Sequence, residues 1–485
     1  MNARSIARHL VLVFATPMLL SCGGGGGSGG SALIGNVSVA PTVTITAPAN
    51  FRAGLTGTVA LGANASSNVA VTLVEFEVDG QPVGSDSSAP YTASVDTSSY
   101  AAGQHIVRVR AHDTAGNVSA WTTATVRFDN NNSVPSGFTK DESFITGLNL
   151  ATALAQAPDG RLFIAQQGGA LRVFQAGQLL LQPFVQLAVD ASGERGLIGV
   201  TLHPGFPTPP HVFVHYTTTT GGTHNRISRF TALGNVAAPA SELILVDLPP
   251  LSGATNHNGG ALHFGTDGKL YVGVGENAVP ARSQDLTSPF GKLLRFNEDG
   301  SIPVDNPFFN TQQGLARAIW AYGLRNPFTF AVQPATGRIH INDVGENTWE
   351  EINLGAAGAN FGWPNSEGPD NVSGSIVAPL FTYKHSATVP PGSGPGGFFT
   401  GVSIAGGTFY PTTGAFAAPY RGNYFFADFV SRFIGRLDLV NDNAAYAFAS
   451  ISDSPVDMLV GTDGAARAGP IERDAHQCAL NRRGF

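Results

Sequence analysis

Short runs of alternating hydrophobic and polar residues fill most of the chain, and Gly, Asn, Asp or Pro residues separate them. Between residues 42 and 129 the runs read VTITAP, GTVALGANA, VTLVEFEVDG, YTASVD, HIVRVRAHD and TTATVRFDN. Strands that recur about every ten residues with turn formers between them are typical of a β-sandwich. We therefore predict a β-sandwich over 42–129, and no cluster of titratable residues within it indicates catalysis.

A turn followed by a strand recurs in the second part of the chain, after a polar linker at 130–139. The copies are APDGRLFIAQQ (157–167), GTDGKLYVGVG (265–275), PATGRIHINDV (334–344), the looser RGNYFFADFVSRFIGRL (421–437) and the broken GTDGAARAG (461–469). Repetition of a strand hairpin with one turn signature favours a β-propeller; a generic large sandwich would explain the strands but not their recurrence. About 330 residues at roughly 50 or more per blade predict six blades over 140–465.

The composition supports this all-β interpretation. The 485 residues are 42% hydrophobic and 13% charged, with 60 Gly and 31 Pro, which suits a large core of short strands. The chain has 27 Lys plus Arg against 34 Asp plus Glu, a net charge of −7. An acidic chain without a basic run is a poor nucleic-acid binder, so we expect no nucleic-acid partner.

The N-terminal residues 1–22 have the pattern of a targeting signal. Arg4 and Arg8 precede the apolar run HLVLVFATPMLL, which is too short to span a bilayer. The following Leu-Leu-Ser-Cys, ending at Cys22, resembles the lipobox of bacterial lipoproteins, which implies that Cys22 is lipidated; an ordinary secretory signal with a chance cysteine is the alternative. Residues 23–41 form a Gly/Ser linker. We expect a protein secreted to the periplasm or cell surface and anchored to the membrane.

The C-terminal residues 466–485 depart from the repeat. The turn GTDGA should lead into an apolar strand, but the chain continues ARAGPIERDAHQCALNRRGF without alternation. We expect the final strand to be lost or replaced, as a reading-frame change would cause, which would weaken ring closure; a divergent native tail is the alternative. Cys478 is the one cysteine besides Cys22, so no structural disulfide is expected.

Polar residues at the ends of β-type runs mark the stretch from 256 to 368 as the candidate site. They are His257, Glu276, Arg325, Asn326 and Glu346. A many-stranded β scaffold presents its chemistry at such loop ends. Four other histidines have separations that match no known metal site, so we interpret them as loop residues: His203, His211, His215 and His224.

The region 140–465 resembles the glucose/sorbosone dehydrogenase family, six-bladed propellers that include sugar dehydrogenases dependent on pyrroloquinoline quinone (PQQ). The matching segments are GERGLIGVTLHPGF (193–206), NRISRF (225–230), NHNGGALHFGTDGKLYVGVGE (256–276), GKLLRFNEDGSIPVDNPF (291–308), YGLRNPF (322–328) and EEINLGAAGANFGWP (350–364). The resemblance implies oxidation of a small sugar at its anomeric carbon, with PQQ and Ca²⁺ as cofactors. The run from VEFEVDG onward resembles bacterial immunoglobulin-like modules, which implies a spacer or weak adhesion module.

The resemblance implies a role for each polar residue of the stretch. His257 matches the catalytic base, and a histidine can accept a proton at neutral pH. Glu276 stands where the family has an aspartate that orients this base. Arg325 and Asn326 match an Arg-Asn-Pro motif that contacts the quinone. Glu194 stands at the position of a substrate-contacting glutamine, a charge change that leaves the substrate open.

Calcium is expected at the backbone carbonyls of Gly345 and Glu346, where the family has glycine and, commonly, proline. Hard cations take such oxygens, and a main-chain ligand survives a change of side chain. Glu351 is expected to support a structural ion or a blade contact. Without the family, a turn or a strand end facing water would explain each of these positions.

The basic residues that grip the three carboxylates of PQQ in the family are not matched. The lysine position falls on Val430 or Ser431, with Arg432 nearby as a possible substitute. The two arginine positions fall near Ser454 and Val456. Two hypotheses therefore stay open. The His257 constellation favours a PQQ-dependent sugar dehydrogenase, and the missing cations favour a non-catalytic cell-surface propeller that binds carbohydrate or protein.

Overall fold

The computed structural model describes residues 39–50, 52–130, 133–385, 400–470 and 477–482. The predicted signal segment 1–22, the lipidation site Cys22 and all but the end of the linker 23–41 lie outside the described residues. Across the described ranges, no helix is both long and apolar enough to cross a membrane. The helical segments there are short 3₁₀ turns at Thr97–Ser99, Pro280–Ser283, Gly314–Ala318 and Ala418–Tyr420.

The N-terminal module is the predicted β-sandwich. Its strands are β1 (Thr42–Ala47), β2 (Arg52–Leu55), β3 (Thr58–Ser66), β4 (Val71–Val78), β5 (Gln81–Asp86), β6 (Tyr91–Asp96), β7 (Gly103–Asp113) and β8 (Thr122–Phe128). One sheet has the order β1-β3-β6 and the other β2-β8-β7-β4-β5. The alternation in β4 buries Val74, Phe76 and Val78 completely, because every second side chain of a strand points into the core.

The second part of the chain forms a six-bladed propeller, as predicted. After β9 (Phe138–Ile145), the first two blades comprise β10 (Ala151–Gln156), β11 (Leu162–Gln166), β12 (Ala170–Gln175), β13 (Gln178–Leu179) and β14 (Val185–Gln186), then β15 (Leu197–Leu202), β16 (His211–Thr218), β17 (His224–Leu233), β18 (Val236–Ala237) and β19 (Leu243–Pro250). The third and fourth blades comprise β20 (Leu262–Phe264), β21 (Leu270–Val274), β22 (Lys292–Phe296) and β23 (Ile319–Tyr322), then β24 (Pro327–Val332), β25 (Ile339–Asp343), β26 (Trp349–Gly355) and β27 (Phe381–Lys384). The fifth and sixth comprise β28 (Ile404–Phe409), β29 (Tyr424–Asp428), β30 (Phe433–Asp438) and β31 (Ala444–Ser450), then β32 (Pro455–Val460), β33 (Ala466–Pro470) and β34 (Gln477–Arg482).

Each blade pairs its strands antiparallel, and the first strands of the blades surround the propeller axis. Every copy of the repeated turn lies between the first and second strands of a blade, as in the register that pairs Leu154 of β10 with Ile164 of β11. Gly160 in the first copy has φ +91°, a left-handed value that glycine adopts without strain. The repeat therefore marks equivalent places in successive blades.

The expected loss of the final strand is wrong. Residues 466–470 form β33, and residues 477–482 form β34, which pairs antiparallel with β9 to complete the last blade. The two ends of the propeller segment thus close the ring in one blade. Local alternation underestimated this region because β34 is held by backbone pairing with β9, and because Ala466 and Ala468 of β33 are small enough to be buried in the blade.

A buried carboxylate joins the last blade to the first beside the axis. Asp457 Oδ2 accepts a hydrogen bond from the backbone N–H of Leu154 on β10 at 2.8 Å, and its Oδ1 accepts one from Met458 N at 2.8 Å. Burial raises the pKa of Asp457 to about 7 although both N–H groups favour the carboxylate. The folded protein binds the proton of Asp457 more tightly than the unfolded chain does. Protonation of Asp457 therefore stabilises the folded protein fully below about pH 4, and this stabilisation is lost as the pH rises to about 7.

We predict that Asp457→Asn destabilises the propeller by about 1–3 kcal/mol near pH 5, because one backbone N–H then loses its acceptor. The difference between wild type and variant should narrow as the pH rises to 8, since only the wild-type residue titrates. Urea unfolding at pH 5 and pH 8 measures it. Asp159→Asn is the matched control, because a hydrogen bond from Arg161 lowers the pKa of Asp159; an equal narrowing there would contradict the prediction.

The sandwich packs directly on the fifth blade. Gln104 Nε2 on β7 donates to the carbonyl of Ala445 on β31 at 2.7 Å. Arg436 of the propeller is 1% exposed, its guanidinium lies 4.2 Å from the ring centre of Tyr446, and its Nη2 donates to the carbonyl of Asp79 at 3.4 Å. Buried polar contacts of this kind hold the sandwich against the propeller. The polar linker at 130–139 gave no indication in the sequence that the two domains are in contact.

Candidate active site

A cavity of about 160 Å³ opens at one end of the propeller axis, where the first strands of the blades begin. Strand starts contribute Thr152, Ile198, Phe328, Ala405 and Val456. Loops that lead into the blades contribute Gly193, Glu194, His257, Arg325, Asn326 and Ser403, and loops that follow second strands contribute Gln167, Val344 and Phe429. The cavity therefore combines a rigid apolar floor with polar groups from loops.

His257 lies in the loop before β20, and a buried carboxylate orients its ring. Its Nδ1 forms a short hydrogen bond with Oε1 of Glu276, which follows β21 and is 0% exposed. The other oxygen of Glu276 has no hydrogen-bond partner among the described residues, so the carboxylate interacts chiefly with His257. This arrangement leaves Nε2 as the ring nitrogen that can meet a molecule in the cavity.

Glu194 connects the two polar sides of the cavity through a single oxygen. Its Oε2 accepts hydrogen bonds from the backbone N–H of His257 at 2.8 Å and from Asn326 Nδ2 at 3.3 Å. In turn, Asn326 Oδ1 accepts the backbone N–H of Gly259 at 3.0 Å. The carboxylate thus holds the His257 backbone as well as lining the cavity.

A buried aspartate supports the Arg325-Asn326 turn. Asp343, the last residue of β25, accepts the backbone N–H groups of Arg325 at 2.9 Å and of Asn326 at 2.7 Å. Burial raises the pKa of Asp343 to about 7. The Arg325 guanidinium donates to the carbonyl of Val344 at 3.1 Å and lies 5.5 Å from the ring centre of Trp363.

The wall that the fifth and sixth blades contribute to the cavity carries no lysine or arginine among its described residues. Ser403, Phe429 and Val456 line it, and Asp428 lies directly behind, accepting the N–H of Ser403 at 3.0 Å and the hydroxyl of Tyr383 at 2.8 Å. Of the described residues that line the cavity, Arg325 is the one lysine or arginine. The electrostatic environment therefore offers one positive group against Glu194, Glu276 and the carboxylate behind the wall.

The structure brings five of the predicted site residues together: His257, Glu276, Glu194, Arg325 and Asn326. It places Arg432 elsewhere, exposed and donating through Nη1 to the carbonyl of Ser452 at 2.8 Å. Val430 is 54% exposed, so Phe429 is the residue of that segment that lines the cavity. The predicted contact of Arg432 with the quinone therefore has no support from this geometry.

The predicted calcium ligands lie in a turn beside the cavity rather than in its lining. Glu346 is exposed, and one oxygen of Glu367 accepts its backbone N–H at 2.8 Å together with the next three N–H groups of the turn. A Cβ on Gly345 would overlap the carbonyl oxygen of Trp349, so the turn requires glycine. Within the described ranges, no group of three or more His, Cys, Asp or Glu side chains could hold a metal ion.

Glu351 is buried, with 7% of its surface exposed, and it is not among the described residues that line the cavity. Its carboxylate accepts the backbone N–H of Gly368 at 2.5 Å and the side-chain N–H of Asn353 at 2.9 Å. Burial, together with the nearby Asp343, raises the pKa of Glu351 to about 8. These contacts suit the supporting role that we expect for this residue.

Two supporting residues escaped the sequence interpretation, Asp343 and Asn277. Asp343 is the last residue but one of the third repeat unit, and an acidic residue at the end of a predicted strand was the available signal. Asn277 follows Glu276 directly, is 0% exposed and has φ +54°. A buried asparagine with left-handed backbone after a strand indicates a constrained turn, but only the folded loops show what it holds.

Comparisons with known proteins agree with this architecture. A family model described as glucose/sorbosone dehydrogenase matches residues 148–465, and a model described as a bacterial Ig domain matches residues 41–109. An aldose sugar dehydrogenase of Escherichia coli (strain K12) is 34% identical over 256 residues, which cover 49% of this chain and 68% of that protein. Quinoprotein glucose dehydrogenase B of Acinetobacter calcoaceticus is 30% identical over 281 residues, covering 50% of this chain and 58% of that protein.

The fold has a close counterpart among solved structures. The apo-form of a soluble aldose sugar dehydrogenase from Escherichia coli matches with a TM-score of 0.62 and 24% sequence identity. The match covers 71% of this chain and 100% of the other. At this identity the likeness shows the propeller fold alone.

Proposed function

This chain belongs to the glucose/sorbosone dehydrogenase family, and from that premise we propose that it oxidises an aldose sugar at the anomeric carbon. The observation that carries the proposal is the pairing of His257 with the buried Glu276 at the mouth of the cavity. A histidine whose Nδ1 is held by a carboxylate presents Nε2 as a base in one tautomer. The cavity adds hydrogen-bonding groups and an apolar floor, a combination that suits the hydroxyl and C–H faces of a sugar.

In the proposed reaction, His257 Nε2 removes the proton from the anomeric hydroxyl of the sugar. Glu276 stabilises the imidazolium that forms, because its negative charge lies against the Nδ1 proton. The sugar loses this proton and, from the same carbon, a hydride, so that a lactone results. PQQ, when bound, supplies the two-electron acceptor for that hydride. Glu194 Oε2 accepts hydrogen bonds from the His257 backbone and from Asn326. This carboxylate therefore holds the base in position relative to the cavity in which the sugar would bind.

The residues present fit a quinone whose oxygen atoms accept hydrogen bonds beside Arg325. Arg325 Nε is buried and finds no acceptor among the described residues, so it is a donor ready for a ligand oxygen. Arg325 and Asn326 would hold the quinone there, and the carbonyls of Gly345 and Glu346 are the expected donors to Ca²⁺. The relative named quinoprotein glucose dehydrogenase B supports the choice of a quinone as the cofactor. One cation for three carboxylates predicts binding that is weak and sensitive to salt.

A second function has a specific observation in its favour. The apolar wall of Phe429 and Val456, with Asp428 behind Ser403, disfavours a polyanionic cofactor. A propeller that binds a neutral carbohydrate without oxidising it, or a protein at the cell surface, would need no such cations. Titration therefore has to separate binding of the sugar from binding of the quinone.

The test is titration of the purified protein with PQQ and Ca²⁺, followed by dye reduction with a panel of aldoses. Saturable quinone binding and sugar-dependent dye reduction are expected for the dehydrogenase. Calorimetry with the same sugars in the absence of the quinone tests the binding function. No quinone binding at high micromolar concentration by a folded protein, together with saturable sugar binding, would overturn the enzyme proposal.

We also propose that the mature protein is a secreted lipoprotein anchored through Cys22. The support is the lipobox-like end of the signal segment and the Gly/Ser linker that follows it. Such an anchor would place the propeller at the membrane surface. A Cys22→Ala variant should move from the membrane fraction to the soluble fraction, and an unchanged distribution would contradict the proposal.

A further inference from the structure

The loop that carries His257 has no regular strand pairing, and the side chain of Asn277 holds it. Asn277 Oδ1 accepts the backbone N–H of Ser252 at 2.5 Å. Its Nδ2 donates to the carbonyls of Ala254 and Asn256, both at 3.1 Å. Each polar atom of this one amide is therefore used on residues 252–256, immediately before the base.

The backbone of Asn277 also forms hydrogen bonds with this loop. Its N–H donates to the carbonyl of His257 at 3.0 Å, and its carbonyl accepts the hydroxyl of Ser252 at 2.9 Å. The N–H of His257 is held from the other side by Glu194 at 2.8 Å. Both backbone groups of the base are thus fixed, one by Asn277 and one by Glu194.

These hydrogen bonds matter because the base and the residues that hold it have unfavourable backbone conformations. His257 has φ +55°, Asn277 +54° and Ala278 +53°, all in the left-handed region that non-glycine residues rarely occupy. Such conformations cost about 1–3 kcal/mol each and persist only where the surroundings impose them. Without its contacts the loop would relax, and the His257 ring would leave the position that faces the cavity.

The opposite side of the loop is held independently. Arg195, which is 7% exposed, donates through Nη2 to the carbonyls of Ser252 at 3.0 Å and Ala254 at 2.8 Å. The N–H of Glu194 donates to the carbonyl of Thr255 at 2.9 Å. Loss of the Asn277 side chain should therefore loosen the loop locally without detaching it from the propeller.

We propose that Asn277 is a positioning residue that holds the 252–257 loop, and with it the His257 backbone, in the conformation that presents the base to the cavity. The effect of Asn277 on catalysis rests on the proposed function, whereas its hydrogen bonds to the 252–257 loop do not. A displacement of about 1 Å at a catalytic group can cost roughly 100-fold in rate. Asn277 therefore affects turnover through His257 and without contact with the sugar.

Asn277→Gly is the informative variant, because glycine adopts positive φ freely and only the side-chain contacts are removed. Amide hydrogen exchange, followed by mass spectrometry, should become on the order of tenfold faster in residues 252–257 and remain unchanged in the strands of the other blades. In an active protein kcat should fall about 10- to 100-fold. KM should change by less than about threefold, because Asn277 does not touch the substrate.

Asn277→Asp is the second variant, which tests the same contacts if Asn277→Gly does not fold. It keeps the acceptor for the Ser252 N–H and replaces the donor to the two carbonyls, so exchange should rise mainly in residues 254–257. Asn306→Ala is the matched control: Asn306 is 5% exposed and donates to the carbonyls of Arg295 and Arg317, far from the loop. It should leave exchange of residues 252–257 and kcat unchanged.

Unchanged exchange of residues 252–257 in both Asn277 variants would overturn the proposal. Faster exchange with an unaltered kcat would overturn the positioning role and leave a structural one. If the wild-type protein oxidises no aldose, the proposed function fails, and hydrogen exchange of the loop still decides whether Asn277 holds His257. The two failures are therefore distinguishable.

Discussion

Replacement of His257 by asparagine is expected to lower kcat/KM for aldose oxidation by about 10²- to 10⁴-fold, the range for loss of a general base. Asparagine is the suitable substitute because it tolerates the left-handed backbone that His257 adopts at φ +55°. Its amide can still contact the buried Glu276, but it cannot accept a proton near neutral pH. Steady-state dye reduction with the quinone-loaded protein, with kcat and KM determined separately, measures the effect.

His203→Asn is the matched histidine control. His203 bonds to Glu298 at 2.9 Å, and its surroundings are the cavity at the opposite end of the axis. We expect its kcat/KM to stay within about twofold of wild type, since surface changes away from a site have small effects. A His257→Asn variant that kept more than a tenth of the wild-type rate would show that another group takes the proton.

Introduction of a lysine at Phe429 is expected to tighten PQQ binding by about 10- to 100-fold. A hydrogen bond to a charged group contributes about 1.5–3 kcal/mol, which corresponds to this factor in the dissociation constant. Phe429 lines the cation-free wall and belongs to the chain segment in which the family places a lysine. The gain should shrink as the salt concentration rises, because exposed charges are screened. Fluorescence titration of the apo-protein with PQQ at two ionic strengths measures both effects.

Phe429→Met separates the charge from the loss of the aromatic ring. Methionine has a similar reach to lysine and no charge, so its dissociation constant should stay within about threefold of wild type. If the lysine variant binds PQQ no more tightly than the methionine variant, the quinone carboxylates do not meet this wall. The weak-binding explanation of the missing cations would then be wrong.

Much of the fold followed from local patterns in the sequence. Alternating runs between turn formers predict the sandwich, and the repeated turn at 157–167, 265–275 and 334–344 predicts the blades. These signals are local, because a strand and its turn are specified by residues within about ten positions. Family motifs likewise predicted the group around His257, and the structure places its members in loops at the same end of the propeller.

The tertiary structure decided what depends on contacts between distant segments. The tail from Ala466 onward reads as irregular, yet pairing of β33 with β34, and of β34 with β9, makes it part of the closing blade. Arg432 is adjacent in sequence to the expected lysine position, but its direction depends on the turn after β29, and it points to Ser452. In the same way, the sandwich reads as a separate module until Gln104 and Arg436 show it packed on the fifth blade.

The sequence by itself therefore determined the architecture and the chemical identity of the candidate base and its partner. Only the folded chain determined that Asp343 supports the Arg325-Asn326 turn and that Asn277 holds the His257 loop. The physical reason is that strands follow from periodicity along the chain. The position of a catalytic side chain follows instead from hydrogen bonds between loops of different blades, and no local pattern encodes those bonds.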